Sequence, residues 1–167
     1  MCVAQPSQAI HRAIERAATG VAVITSRDFL GRPVGTTVPA LSALSLDPPT
    51  VVVALAPTCR TLEALRRRGV FAVNVLRRDQ PELAELFARP GSAGNWPEGD
   101  LYAADAPLVE GTVAALECEV RDIITDDGHD IVVGAVQRAD FDESGEPLPS
   151  YSRASSRMSC AMRPGVV

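Results

Sequence analysis

The sequence predicts a mainly β fold, an antiparallel barrel with short helical insertions, and three observations point there. Short β-branched runs recur along the chain: "GVAVITS" (20–26), "PVGTTV" (33–38), "TVVVAL" (50–55) and "VFAVNVL" (70–76). Two longer segments, about 111–123 and 129–140, are joined by the turn-forming "TDDG". Helical patterns fall between only some of these runs, without the regular strand and helix alternation of a doubly wound sheet.

Taken in order, Ser7 can cap an N-terminal helix over about 7–19, with Ile10, Ile14 and Ala17/Ala18 at helical spacing. "RDFLGR" then makes a glycine-containing connection between the first two strands, a hairpin. Pro48 and Pro49 end the loop ahead of Thr50–Leu55, a continuous apolar run too short for most helices and therefore read as a buried strand. A helix over 61–68 closes at Gly69, with Arg66, Arg67 and Arg68 in its last turn, where cations complement the carbonyl end of the helix dipole. The strand after it carries one polar intruder, Asn74, available either to the core or to a ligand. Asp79 is the expected cap of a second helix, with Pro81 in its first turn and Leu83, Leu86 and Phe87 on one face. The Gly/Pro-rich loop 88–100 holds the sole tryptophan, Trp96, and the tail from Glu143 reads as irregular. No repeat or linker divides the chain, so residues 1–167 are expected to be a single domain.

Composition removes whole classes of function. The net charge of −5 leaves no broad electrostatic footprint for nucleic acid. All sixteen basic residues are arginine, which excludes Schiff-base, pyridoxal-phosphate and P-loop lysine chemistry. The four cysteines, Cys2, Cys59, Cys118 and Cys160, form no CxxC pair, and His11 and His129 are too few for a multi-histidine metal centre. Neither a signal peptide nor a membrane-length apolar run is present, so a cytoplasmic protein with no membrane contact is expected.

Neither GxGxxG nor GxxxxGK[ST] occurs. "LAPTCRTLEAL" (55–65) offers a different phosphate cradle: Thr58, Cys59, Arg60 and Thr61 at a helix start, where free N–H groups, hydroxyls and a guanidinium can converge on an anion. The competing reading is that Thr58 caps the helix and Arg60 is solvated. "GTTVPALSALS" (35–45) sets hydroxyls at Thr36, Thr37, Ser42 and Ser45 among small residues, either an ordinary polar loop or exposed backbone able to face a flat ring. His129 begins the last long strand beside Asp126, Asp127 and Asp130, as a structural residue or a donor to substrate. Cys59 lacks a neighbouring histidine for nucleophilic catalysis and reads as a small-residue filler.

Together, "GVAVITS", "GRPVGTTV", "LSLDPPTVVVAL", "PTCRTLEALRRRGVFAVNVL", "DQPELAELFA", "LECEV" and "HDIVVGAV" resemble, in order and spacing, the flavin reductase-like, FMN-binding split-barrel family, from about Ala18 to Val136. The resemblance implies a homodimer of Greek-key split β-barrels that uses NADH or NADPH to reduce FMN or FAD, with a flavin-dependent monooxygenase as possible partner. By the same resemblance, Thr36, Thr37, Val38, Pro39, Ala40 and the turn through Ala43 would run along the isoalloxazine, Cys59, Arg60 and Thr61 would hold the flavin phosphate, and Asn74 and Trp96 would lie near the cofactor. His129 matches the histidine of the family's "GDH"-type motif and would line the nicotinamide side as the catalytic residue. Three positions depart from the pattern: Pro39 has no N–H to offer, Ala43 replaces a frequent serine, and Cys59 replaces a phosphate-binding serine with a weaker donor. These departures motivate two alternatives, a barrel turned to a non-redox rearrangement and a flavin-binding protein without reductase turnover.

Overall fold

The computed structural model describes residues 19–39, 41–89, 96, 105–125 and 128–150. Among them are nine strands and two helices: β1 (Thr19–Gly20), β2 (Ala22–Arg27), β3 (Pro33–Val38), β4 (Ser42–Leu46), β5 (Pro49–Leu55), α1 (Arg60–Arg68), β6 (Val70–Val75), α2 (Pro81–Ala88), β7 (Ala114–Thr125), β8 (Asp130–Phe141) and β9 (Pro149–Ser150). The expected N-terminal helix lies outside the described residues up to position 18, with Thr19 found in β1, and Ala40 and the chain after Ser150 also lie outside them.

Seven strands form one antiparallel sheet in the order β3-β2-β6-β7-β8-β5-β4. Strands β3 and β5 approach each other without a hydrogen-bonded ladder, so the sheet rolls up and stays split along that line. The predicted mainly β split barrel is the fold observed. The predicted hairpin joins β2 to β3 in unbroken register from Ala22↔Val38 to Arg27↔Pro33. Its turn is held by Asp28, whose Oδ1 accepts the N–H groups of Leu30 and Arg32 (both 2.9 Å) and whose Oδ2 accepts Arg32 Nε at 2.8 Å. Burial acts to raise the Asp28 pKa, but these bonds outweigh it and hold the carboxyl below its usual range.

Alternation along the strands creates two apolar clusters. Ala22 and Ile24 of β2 point inward with Val38, Val51, Val53, Leu55, Phe71, Val73, Cys118 and Val132, and Leu62 and Leu65 of α1 complete this cluster. Val21 and Val23, of opposite parity, pack outward with Leu76, Ala84, Phe87 and Leu148. Both faces of β2 are therefore buried, which explains why "GVAVITS" reads as continuous rather than alternating.

Gly134 sits where the Phe71 ring crosses β8: a Cβ there would lie 2.8 Å from Phe71 Cε1 and closer still to Cζ. Phe71 is fully buried. Gly134→Ala is expected to destabilise the fold by about 1–3 kcal/mol through overpacking, read as a lower thermal midpoint. An unchanged midpoint would mean that the ring relaxes without strain.

Four expectations are corrected. α1 begins at Arg60 with Cys59 at the N-cap position and no side-chain cap bond, so Thr58 does not cap it. The N-cap of α2 is Gln80 rather than Asp79, and Gln80 instead ties the 77–80 turn to Glu110, accepting Arg77 N–H and donating to Glu110 O, both at 2.9 Å. The segment 42–46 is a strand, not a turn, paired with β5 and bulged between Ala43 and Ser45. The tail is ordered in part: Leu148 is buried, and β9 pairs with β1 through Thr19↔Ser150 and Gly20↔Pro149.

Candidate functional site

The β5 strand delivers the chain to the start of α1 through a tight turn, Cys59 N–H to Ala56 O at 2.9 Å. The first helical bond is Glu63 N–H to Cys59 O, at 3.3 Å, so the N–H groups of Arg60, Thr61 and Leu62 precede the helical ladder. Among the described residues, no side-chain cap bond is made there. Arg60 is exposed and, among the described residues, makes no ion pair. Thr61 and Leu62 are each 1% exposed, so Arg60 is the exposed residue of these three. Uncapped donors next to an unpaired guanidinium suit a phosphate, the chemistry that a helix N-terminus favours. Cys59 is half-buried against the inner cluster.

Helix α1 packs on β2 and β3. Val38 is buried in the inner cluster, with Leu41 and Cys59 at its margin, so the 36–41 segment and the α1 start share one apolar floor. Thr36 is half-buried, while the Thr37 hydroxyl is committed to Ala84 O at 2.7 Å. Pro39 is exposed, and its carbonyl accepts a hydrogen bond from the Thr19 hydroxyl. Ala43 is exposed on edge strand β4, opposite Val51.

The position of His129 follows from strand register. Leu55↔Asp130 is the last pair between β5 and β8, so His129, one residue outside β8 and exposed, borders the Ala56–Cys59 connection into α1. Asp130, which sequence reasoning treated only as a neighbour of His129, is 1% exposed, and its Oδ1 accepts Arg66 Nη2 at 3.0 Å and Thr125 Oγ1 at 2.7 Å. Its parity was a signal: Asp130, Val132 and Gly134 take the inward slots of β8, where a carboxylate requires a partner.

Asn74 and Trp96, the two expected cofactor neighbours, both make hydrogen bonds within the protein. Asn74 is fully buried, its amide donating to Val23 O (3.0 Å) and Thr25 Oγ1 (3.1 Å) while its oxygen accepts Val109 N–H (2.8 Å). With every polar hydrogen and the carbonyl engaged, Asn74 ties the core strands together. Trp96 stacks edge-on against Phe87, with ring centroids 5.0 Å apart, and donates Nε1–H to Pro33 O at 3.0 Å, at the margin of the outer cluster.

The thiols differ sharply. Burial, and then the Glu117 charge, push the Cys118 pKa up to about 12. An unfolded thiol ionises near 9.0, so this group's contribution to stability is intact below that pH and lost as pH climbs toward 12. In the native protein at neutral pH, iodoacetamide is expected to alkylate Cys59 and spare Cys118, read by peptide mass spectrometry. Equal labelling of both would contradict the packing around Cys118.

The family model described as "Flavin reductase like domain" matches residues 14–159. A probable flavin reductase of Rhizobium meliloti (strain 1021) is 35% identical over 150 residues, covering 87% of this chain. This chain spans 47% of that relative's length. The reductase component of 4-hydroxyphenylacetate 3-monooxygenase from Thermus thermophilus is 34% identical, with 90% of this chain and 96% of that protein covered. Among solved structures, the NADH:FAD oxidoreductase of Streptomyces globisporus C-1027, in complex with NAD and FAD fragments, superposes with a TM-score of 0.78 at 26% identity, over 90% of this chain and 93% of that one. The family match runs through the split barrel, the uncapped start of α1 and the His129 edge, and on that ground this chain belongs to the flavin reductase like domain family.

Proposed function

We infer that the protein is an NAD(P)H:flavin oxidoreductase that passes hydride from NADH or NADPH to FMN or FAD and supplies reduced flavin to a monooxygenase partner. The observation that supports this reading is the uncapped start of α1, with His129 one residue beyond the pair that Asp130 makes with Leu55 of β5, the strand that leads into α1. The near-full-length similarity to the Thermus thermophilus reductase component supports the two-component arrangement. A flavin, when bound, supplies the ring that accepts hydride from the nicotinamide.

The chain's own residues bind and position. The N–H groups of Arg60, Thr61 and Leu62, with the Arg60 guanidinium, hold the phosphate beside Cys59. The backbone of Thr36, Val38, Pro39 and Ala43 would run along the ring, and Thr37 locks its strand to α2 through Ala84. His129 orients the nicotinamide at the open edge. Holding two rings in contact and excluding water are the main requirements of hydride transfer, so no acid–base pair is needed. The setting is cytoplasmic, where both reductants are made; among the described residues no helix is long and apolar enough to cross a membrane.

The active form is a homodimer. Laterally paired residues share a sheet face, and Val52, Ala54, Ile131, Val133 and Ile124 line the outer face of β5, β8 and β7 as half-buried or exposed apolar side chains. Ile124 is 51% exposed. Ile124→Asp is expected to shift the protein from dimer to monomer in sedimentation velocity, and an unaltered species would remove this face from the interface.

The functional test is oxidation of NADH, then NADPH, by purified protein with FMN, FAD or no flavin added. Steady oxidation that requires flavin is expected. A flat trace with every combination would overturn the reading.

A further inference from the structure

Asp130 is a buried carboxylate with no place in the binding roles described above. It takes an inward slot at the last rung of the sheet, paired to Leu55 on one side and Thr125 on the other. Its Oδ1 accepts both Thr125 Oγ1 and Arg66 Nη2. Arg66 lies in the last turn of α1, the helix whose first turn carries Arg60 and Thr61. The three arginines of that turn therefore differ in kind. Arg67 pairs with Glu63 one turn back, both side chains more than half exposed, whereas the Arg66 guanidinium reaches an acid that is 1% exposed. Screening leaves the first pair of little consequence, while the second cannot be broken without stranding a charge.

We propose that Asp130 is a positioning residue: through Arg66 and Thr125 it clamps the β7–β8 end to α1, so that His129, its immediate neighbour, keeps a fixed station relative to the α1 start. The proposal rests on the assignment of His129 to the nicotinamide side and deepens it. Apolar packing of Leu62 and Leu65 already seats α1 in the barrel. His129 is exposed and is the chain neighbour of Asp130. The clamp ties the His129 end of β8 to the helix whose first turn carries Arg60.

The test compares Asp130→Asn, which keeps the size and an acceptor for Thr125 while removing the charge, with Arg66→Met, which keeps the stem and removes the cation. The assay uses the full chain with FMN and NADH. Each variant is expected to raise the KM for NADH about five- to tenfold, with the FMN dissociation constant within about twofold of the parent. The double variant is expected to be no worse than either single one, because both break one interaction. Arg66→Lys should recover part of the loss, and Arg67→Met should leave the KM for NADH unchanged. A lower thermal midpoint with unchanged NADH kinetics would make Asp130 structural only and overturn the proposal. His129→Ala separates the two levels of the argument. If it raises the KM for NADH while the clamp variants do not, the positioning role alone falls; if it leaves that KM unchanged, the assignment of His129 falls and takes the positioning role with it. Should Asp130→Asn fail to fold, Arg66→Met, altering a side chain 47% exposed, decides the question alone.

Discussion

Asn74→Leu is expected to cost the fold about 3–5 kcal/mol, the sum of leaving Val109 N–H without an acceptor and removing two donated bonds in a fully buried setting. Leucine matches the volume, so the loss is polar rather than steric. Asn74 joins three pieces of chain: its own strand β6, the neighbouring β2 through Val23 and Thr25, and the 107–109 segment through Val109. Thr25 extends the network by donating to Pro107 O. Against a typical total stability of about 5–15 kcal/mol, this change approaches the threshold of unfolding. Chemical denaturation would show a much lower midpoint, whereas a loss below about 1 kcal/mol would mean that Val109 N–H finds another acceptor.

Arg60→Ala is expected to raise the KM for FMN about tenfold, the low end for a charge-assisted hydrogen bond to phosphate made by an exposed side chain. Riboflavin, which lacks the phosphate, should lose nothing, so the preference for FMN over riboflavin falls by the same factor. The stability of the fold should be untouched, because Arg60 has no partner among the described residues to leave behind. Equal losses for FMN and riboflavin would move the phosphate away from α1.

Much of this architecture was legible from local pattern. The β2–β3 hairpin announced itself through β-branched runs around a glycine turn, and α1 through an apolar face closed by Gly69, which takes the left-handed conformation with φ of 70°. Strand β4 was not legible, because Ser42 and Ser45 beside Pro39 look like a loop and the strand exists only through its ladder to β5. The two-residue β9 is likewise created by its partner β1. Helix caps failed for a local reason: Thr58 and Asp79 are good capping residues standing one position too early.

At the site, the helix-start donors could be read directly because they are contiguous. Asn74 was ambiguous by nature, since a polar residue in an apolar strand looks the same whether it faces a ligand or a hydrogen-bonding core. The Arg66–Asp130 contact joins residues far apart in the chain, and only the β5–β8 register brings α1 and the start of β8 together. Strand parity marked Asp130 as a buried acid in need of a partner without naming Arg66.

The central claim is that hydride moves from a reduced nicotinamide to a flavin held at the α1 start beside His129. The most direct measurement is anaerobic mixing of protein and FMN with NADH, then with NADH deuterated at the transferred position, following loss of the flavin's visible absorbance. The account predicts rapid bleaching that requires the protein and is slowed by deuterium. Flavin that keeps its colour at the rate of the protein-free control would contradict it.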